Sequence, residues 1–246
     1  MTVNEQTIGV VGHRGAAALA PENTLTSFAR GIADGADVIE LDVHASADGQ
    51  IVVMHDKAVG RTAVGGRTSG EIADLTWAEL QEVELPDGER IPRLSEALDA
   101  ITTPIQLEVK ALAAARPAAE MVRGAGLADR VTLISFQPAV LRTVRETDPD
   151  LAVGVVVSRP TPEARTLVDE LGAAMFSVEI PHLDRAQVAA LQGRGVQVCC
   201  WTAVTEDAVR AAVAAGVDLI AADDPAWCRS VLETEPHPPA EARGTR

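Results

Sequence analysis

The most constraining feature of the chain is a regular alternation of short β-rich runs with segments of helical length. Eight such runs occur in the 246 residues, at 8–12, 38–43, 105–110, 131–135, 152–157, 175–180, 196–201 and 218–221. Most of the gaps hold one helix-length segment, at 23–34, 138–147, 162–170, 184–192 and 206–215. Eight strand–helix units in a chain of this length predict an α/β fold of the TIM (β/α)8 barrel type. A doubly wound open sheet is the alternative.

The gap from residue 44 to residue 104 is too long for a single helix. It contains an Asp48-Gly49 turn signal, an apolar run at 51–54 and a glycine-rich segment at 60–70, before a helix predicted over 94–100. We therefore predict one barrel domain over residues 8–230, with a small subdomain inserted at 45–92 between strand 2 and helix 2. Residues 234–246 contain three prolines and no periodicity, and they are predicted to form a disordered tail.

The composition excludes several classes of partner. The net charge of −15 repels nucleic acid and anionic lipid, and a chain with no Tyr and 2% aromatic residues offers little surface for stacking bases. Three cysteines without a ladder of spacings indicate no disulfide framework. Because neither a signal peptide nor a membrane-spanning run is recognisable, we expect a cytoplasmic protein without stable membrane association. Whether it is a monomer or a homo-oligomer stays open.

The second predicted strand carries two carboxylates inside an apolar run. In Ile39-Glu40-Leu41-Asp42-Val43, successive side chains point to opposite faces of the strand, so Glu40 and Asp42 share one face. Two adjacent carboxylates do not ionise cheaply without a cation between them. A hard divalent metal is the simplest candidate.

Other polar side chains also fall where predicted strands end, which is where barrel enzymes place their active sites. They are His13, Arg14, His55, Glu108, Lys110 and Trp201. Three carboxylates suit Ca²⁺ or Mg²⁺, two cations can neutralise a phosphate, and two histidines can act as acid and base. Together they predict metal-assisted cleavage of a phosphodiester. Singly, each has a structural interpretation: a loop histidine, a Glu108–Lys110 ion pair, or a tryptophan in the core.

Two local interpretations concern the ends of helices. Asn23 precedes a helical segment and is expected to act as its N-cap. The Asp223-Asp224-Pro225 sequence is interpreted as a polar connection between the last strand and the last helix. If Trp201 points into the barrel, Cys199 does so too, whereas Cys200 faces the helices.

At these positions the chain resembles the glycerophosphodiester phosphodiesterase family, and more specifically its small cytosolic bacterial members. The resemblance extends over residues 8–230, in an order and spacing that are highly specific. The motifs that carry it are His13-Arg14-Gly15, Pro21-Glu22-Asn23-Thr24, Phe28, Gly35-Ala36-Asp37, Ile39-Glu40-Leu41-Asp42-Val43, Asp48-Gly49, Val52-Val53, His55-Asp56, Arg61-Thr62, Ile91-Pro92, Leu94, Glu108-Val109-Lys110, Ser135-Phe136, Trp201-Thr202 and Gly216-Val217-Asp218.

The resemblance implies a metal-dependent hydrolase that converts glycerophosphodiesters, such as glycerophosphocholine or glycerophosphoethanolamine, to glycerol 3-phosphate and an alcohol. It assigns one divalent cation, Ca²⁺ or Mg²⁺, to a defined set of ligands, which are Glu40, Asp42 and Glu108. It assigns His13 and His55 as the general acid/base pair, and Arg14, Lys110 and Trp201 as substrate or phosphate contacts. Which histidine is the acid is left open.

The chain departs from the usual pattern of the family at two places. Trp201-Thr202-Ala203-Val204 lacks the usual asparagine at its fourth position, and Ala221-Ala222-Asp223 stands where Thr-Asp is usual. Both changes concern the shape of the pocket and not the predicted metal or histidine set. Two other functions stay open: a lysophospholipase D or phospholipase-C-like enzyme acting on lipids, and a non-catalytic protein that binds phosphate ligands on the same fold.

Overall fold

Eight parallel strands close into a barrel in the computed structural model, which describes residues 7–235. The strands in chain order are β1 (Gly9–Gly12), β2 (Val38–Ala45), β3 (Ile51–Val53), β4 (Gly65–Gly66), β5 (Val83–Glu84), β6 (Ile105–Val109), β7 (Val131–Ser135), β8 (Ala152–Val157), β9 (Met175–Glu179), β10 (Gln197–Ala203) and β11 (Leu219–Ala222). Closure is complete because β1 pairs in parallel with both β2 and β11. The predicted TIM barrel is confirmed, and the open sheet is wrong.

Helices cover the outside of the barrel, one after most of its strands. They are α1 (Leu25–Ala33), α2 (Trp77–Leu80), α3 (Leu94–Ala100), α4 (Leu112–Gly124), α5 (Pro138–Thr147), α6 (Pro162–Leu171), α7 (Arg185–Gln192), α8 (Glu206–Ala215) and α9 (Pro225–Thr234). Within the described part of the chain, none of these helices is both long and apolar enough to cross a membrane. The predicted disordered tail starts at the last residue of α9, and residues 236–246 lie outside the described residues.

Strand β2 divides its side chains between the two sides of the barrel wall, as its sequence predicts. Ile39, Leu41 and Val43 are fully buried in the cluster between strands and helices. Burying each of these contributes about 1.5–3 kcal/mol, which helps to offset the cost of placing Glu40 and Asp42 inside the barrel. Strand β10 follows the same rule, with Cys199 in the interior cluster and Cys200 in the outer one.

The segment between β2 and α3 has a small hydrophobic core of its own. The predicted hairpin is present: β3 pairs antiparallel with β2, and Gly49 in the turn has a φ of 81°. A two-stranded ribbon of β4 and β5, the helix α2 and three 3-10 turns follow. The core is formed by Val52, Met54, Val59, Ile72, Leu75, Leu80, Val83, Leu85 and Ile91. This separate core fixes the loop after β3 beside the mouth of the barrel.

The start of α1 differs from the expectation. Thr24, and not Asn23, is the N-cap, because the Thr24 hydroxyl accepts the hydrogen bond from the Ser27 backbone N–H. Asn23 has a φ of 60° and gives its side chain to Asp42 instead. Both residue types can cap a helix, so the sequence alone does not choose between them.

Candidate active site

The cavity at the carboxyl ends of the barrel strands collects nearly all of the predicted site residues. Its volume is about 240 Å³. Seven of the eight predicted side chains line it, namely His13, Arg14, Glu40, His55, Glu108, Lys110 and Trp201. The eighth, Asp42, is buried directly behind them, with its Oδ1 3.2 Å from the Lys110 Nζ. The prediction that these strand-end residues converge on one mouth therefore matches the geometry.

The cavity has two walls of different chemistry. What we call the charged wall comes from β1, β2, β6 and the loop after β3, and it consists of His13, Arg14, Glu40, His55, Glu108 and Lys110. What we call the neutral wall comes from β7, β8, β10 and β11 on the other side, and it consists of Ile134, Phe136, Val156, Cys199, Trp201 and Ala221.

Three carboxylates form the centre of the charged wall. Oxygens of Glu40, Asp42 and Glu108 lie within 4.8 Å of one another, and all three residues are buried. Asp42 and Glu108 are direct neighbours across the β2–β6 ladder. Burial, and then the charge of Asp42, raises the pKa of Glu40 to about 8. Burial and Asp42 likewise raise the pKa of Glu108. The cluster therefore lacks positive charge for all three groups to ionise at neutral pH.

This cluster fits a hard divalent cation. Three carboxylate oxygens are the ligand type that Ca²⁺ and Mg²⁺ prefer. The Asp42 Oδ1 is buried and has no hydrogen-bond partner among the described residues. Its pKa is nevertheless lowered, because the opposing charges of Lys110, His55 and Arg14 outweigh its burial. Among the described residues, the Oδ1 of Asp42 therefore accepts no hydrogen bond, and the charge of Lys110, 3.2 Å away, is what lies close enough to offset its own. A buried, ionised carboxylate of this kind, beside two further carboxylates, is what a metal ligand set requires.

Two cations flank the carboxylates. The backbone N–H of Arg14 donates to Glu40 at 2.9 Å, and its guanidinium donates to Glu22 at 2.9 Å. The Lys110 Nζ donates to Glu108 at 2.7 Å, which matches the predicted ion pair and still leaves Lys110 in the cavity lining. Gly15 allows the tight turn after Arg14, because a Cβ there would lie 2.5 Å from Ser27.

His13 is held by a carboxylate from the far end of the chain. Its Nδ1 lies 2.6 Å from the Asp223 Oδ1, across the closure of the barrel between β1 and β11. Burial lowers the pKa of His13, but the hydrogen bond to Asp223 and the charge of Glu40 outweigh it, so the net shift is upward. With Nδ1 engaged, Nε2 is the nitrogen left for proton transfer.

His55 is held in the same way but in a different setting. Its Nδ1 lies 2.6 Å from the Oδ1 of the adjacent Asp56. The imidazole of His44 lies 3.1 Å from the His55 carbonyl and supports the loop after β3. Burial lowers the pKa of His55 and outweighs the opposing charge of Asp42. The two histidines therefore differ in the direction of their pKa shifts although each has the same kind of partner.

The neutral wall presents aromatic and apolar surface to the same cavity. The rings of Phe136 and Trp201 meet edge to face with centroids 5.5 Å apart. The indole Nε1 of Trp201 is buried without a partner among the described residues. Phe136 is 42% exposed at the mouth. Trp201 therefore belongs to the cavity as well as to the interior packing, and this wall can contact the organic part of a ligand.

Sequence reasoning missed the residues that support the site from behind. Asp223 was taken as part of a polar connection, an interpretation that fits Asp224, the N-cap of α9, but not Asp223. Asn23 donates its side-chain amide to Asp42 at 2.8 Å and also accepts from the Asp42 backbone N–H at 3.2 Å. Asn23 belongs to the quoted Pro21-Glu22-Asn23-Thr24 motif and Asp223 to Ala221-Ala222-Asp223, and this membership is the signal that the sequence offers.

Comparison with known proteins places this site in a family. The profile described as the Glycerophosphoryl diester phosphodiesterase family matches residues 13–227. A glycerophosphodiester phosphodiesterase of Caldanaerobacter subterraneus subsp. tengcongensis is 31% identical over 236 residues, which cover 88% of this chain and 94% of that protein.

Solved structures agree in fold. A phosphodiesterase of Oleispira antarctica, solved in complex with its product sn-glycerol-3-phosphate, is 25% identical and matches with a TM-score of 0.83 over 92% of this chain and 97% of its own. A glycerophosphodiester phosphodiesterase of Thermotoga maritima is also 25% identical, with a TM-score of 0.76 over 92% of this chain and 98% of its own. The enzyme class predicted from the sequence, a phosphoric diester hydrolase, is thereby confirmed. The chain belongs to the glycerophosphoryl diester phosphodiesterase family.

Proposed function

We propose that this chain hydrolyses small glycerophosphodiesters, such as glycerophosphocholine and glycerophosphoethanolamine, to glycerol 3-phosphate and an alcohol. One observation carries the proposal: a buried three-carboxylate cluster, two cations and two carboxylate-held histidines line one cavity. The product bound to the Oleispira antarctica relative, glycerol 3-phosphate, supports the same chemistry.

Phosphate binding is assigned to the charged wall. Arg14 and Lys110 supply positive charge and hydrogen-bond donors, and their pKa values are raised because the surrounding carboxylates outweigh burial. Glu40, Asp42 and Glu108 would hold one divalent cation, Ca²⁺ or Mg²⁺. When bound, such an ion supplies Lewis-acid polarisation of a phosphoryl oxygen and neutralises charge that develops on it.

The two histidines divide the proton transfers. One Nε2 accepts the proton from the hydroxyl that attacks phosphorus, and the other donates a proton to the departing alcohol oxygen. If the attacking hydroxyl belongs to the glycerol of the substrate, the first product is a cyclic phosphate, which water opens in a second step with the roles reversed. Asp223 and Asp56 keep the Nδ1 atoms occupied, so that both rings present Nε2.

A lysophospholipid is a second candidate substrate, because the neutral wall continues into a partly apolar groove. Beyond Phe136 and Val156 lies a groove of about 460 Å³, whose lining includes the apolar Val155, Val157 and Leu167 and the charged Arg142, Glu163 and Glu170. An acyl chain leaving the cavity past Phe136 would contact this surface. Comparison of rates on glycerophosphocholine and lysophosphatidylcholine separates the two substrate classes: a higher kcat/KM on the lipid would assign the enzyme to the lysophospholipase D type.

The test is a substrate panel with a coupled glycerol 3-phosphate readout. We expect turnover of glycerophosphocholine that EDTA abolishes and that Ca²⁺ or Mg²⁺ restores. Full activity in excess chelator would overturn the metal requirement. If calorimetry detects tight binding of glycerol 3-phosphate but no substrate turns over, the chain is a binding protein on this fold. Cell fractionation and light scattering test the cytoplasmic location and the oligomeric state.

A further inference from the structure

Arg61 lies in the inserted segment and ties together two loops that border the cavity. It ends the 3-10 turn Val59–Arg61. Its Nη1 and Nη2 donate to the two carboxylate oxygens of Glu22 at 2.8 and 2.6 Å. Its Nε donates to the Asp56 Oδ2 at 2.5 Å, and Nη2 lies 3.3 Å from the Asp56 Oδ1. One guanidinium therefore engages two carboxylates from different parts of the chain.

Each of these carboxylates holds a different member of the charged wall. Glu22 accepts a hydrogen bond from Arg14 at 2.9 Å through the same Oε1 that Arg61 contacts. Asp56 lies 2.6 Å from the Nδ1 of His55 through the Oδ1 that Arg61 also approaches. A continuous path of contacts therefore runs from a phosphate-binding cation to a proton-transfer group, with Arg61 at its centre.

We propose that Arg61 is a positioning residue that sets Arg14 through Glu22 and His55 through Asp56; this inference rests on the proposed function. Arginine suits the task because its planar fork can engage two carboxylates with separate N–H groups. A lysine ammonium at the same place is a single point charge and cannot hold both carboxylates in a fixed plane.

A role in folding alone does not account for the arrangement. The Arg61 side chain is 47% exposed, and ion pairs of that exposure contribute little to stability. The hydrophobic cluster of the inserted segment already fixes the turn that carries Arg61, through the fully buried Val59. The ion pairs therefore orient the carboxylates of Glu22 and Asp56 more than they stabilise the fold.

Steady-state kinetics on glycerophosphocholine with saturating metal tests the proposal. Arg61→Ala should lower kcat/KM by about 10- to 100-fold, because small displacements of reacting groups are costly. Both parameters should change: KM rises because Arg14 loosens, and kcat falls because His55 loosens. Arg61→Lys should recover part of the loss, and millimolar guanidinium should partly rescue Arg61→Ala. A kcat/KM within twofold of the wild type would overturn the proposal.

Double-mutant cycles test separately the contact of Arg61 with Asp56 and its contact with Glu22. In an Asp56→Asn background, Arg61→Ala should no longer lower kcat, because its route to His55 is already broken. In a Glu22→Gln background, it should no longer raise KM. Effects that simply multiply in both backgrounds would show that Arg61 does not act through these carboxylates.

Arg90→Ala is the matched control, since Arg90 lies in the same inserted segment and its side chain donates hydrogen bonds to Val83 and Glu84, neither of which lines the cavity. It should leave kcat and KM unchanged; an equal loss in both variants would mean that the segment had merely unfolded.

Wild-type turnover in the same assay reports on the proposed function. If the wild type is inactive, side-chain ¹⁵N spectra decide: Arg61→Ala should shift the His55 signals, identified by their loss in His55→Gln, and unchanged signals would overturn the proposal.

Discussion

The charged and neutral walls of the cavity face each other across the same space, but they differ in the strands that form them and in their relation to the hydrophobic core. Every charged side chain that lines the cavity comes from β1, β2, β6, the residues that directly follow them, or the inserted loop, and these strands are neighbours on one side of the ring. The strands on the other side supply Ile134, Val156, Cys199 and Ala221, whose side chains also belong to the apolar interior cluster. The neutral wall continues the core, whereas the charged wall interrupts it.

The difference shows where this fold can tolerate desolvated charge. Each charged group of that wall is matched by a partner of opposite sign or by a hydrogen bond, as in the pairs of Lys110 with Glu108 and of Arg14 with Glu22. Unpaired, such groups would cost several kcal/mol apiece. Under the proposed function, the opposite wall contacts only the organic part of the substrate and needs no charged side chain. Substitutions on the two walls should therefore change different kinetic parameters.

The largest effect is expected from His13 on the charged wall. His13→Ala should lower kcat by about 10²–10⁴-fold, because it removes a proton-transfer group and leaves the phosphate contacts in place. KM should change little. Measurement of initial rates on glycerophosphocholine at saturating metal checks this, with His182→Ala, a histidine outside the cavity lining, as the control. A rate within tenfold of the wild type would remove His13 from proton transfer.

A smaller effect of the opposite kind is expected from Trp201 on the neutral wall. Trp201→Leu removes the edge-to-face contact with Phe136 and the unpartnered indole N–H. We expect KM to rise by about 5- to 20-fold, which corresponds to the loss of one hydrogen bond from the indole to the substrate and of one aromatic contact. The change in kcat should be smaller. Phe136→Leu, which keeps the indole, should raise KM less. A fall in kcat comparable to that of His13→Ala would erase the distinction between the two walls.

The same contrast explains how much of the molecule the sequence could predict. The period-two alternation of Ile39, Leu41 and Val43 with Glu40 and Asp42 specifies both the strand and its inward face, because a slip by one residue would bury carboxylates against helices. Polar residues at strand ends, such as His13 and Lys110, stand out against apolar runs for the same reason. The barrel and the charged wall were therefore predictable from local patterns.

The supporting partners were not predictable, because they depend on contacts between distant parts of the chain. Asp223 reaches His13 only because β1 and β11 close the barrel. Arg61 meets Glu22 only because the fold brings the 3-10 turn Val59–Arg61 of the inserted segment beside the loop before α1. In the sequence, Asp223, Arg61 and Glu22 are charged loop residues. Glu22 and Arg61 belong to motifs that carry the family resemblance, but nothing in their spacing says which side chain each of them contacts. Tertiary packing supplies that information.

The smallest effect is expected from the pH dependence of stability at Asp56. The hydrogen bond from Arg61, helped by His55, lowers the pKa of Asp56 to about 2 from its ordinary value of 3.8. Ionised Asp56 therefore stabilises the fold above pH 3.8, and the contribution is lost as the pH falls through 2. Asp56→Asn should lower the free energy of unfolding by about 1 kcal/mol at pH 7, after allowance for solvent screening, and by about half as much at pH 3.

Urea unfolding at both pH values, with and without Arg61→Ala, measures this contribution. The loss of stability caused by Asp56→Asn should shrink in the Arg61→Ala background, because the guanidinium is the largest cause of the lowered pKa. A loss well above 1 kcal/mol, independent of pH, would mean that Asp56, which supports the charged wall from behind, stabilises the fold by more than its ion pair with Arg61. A small, pH-dependent loss would mean that the ion pair between Asp56 and Arg61 contributes mainly to the orientation of His55.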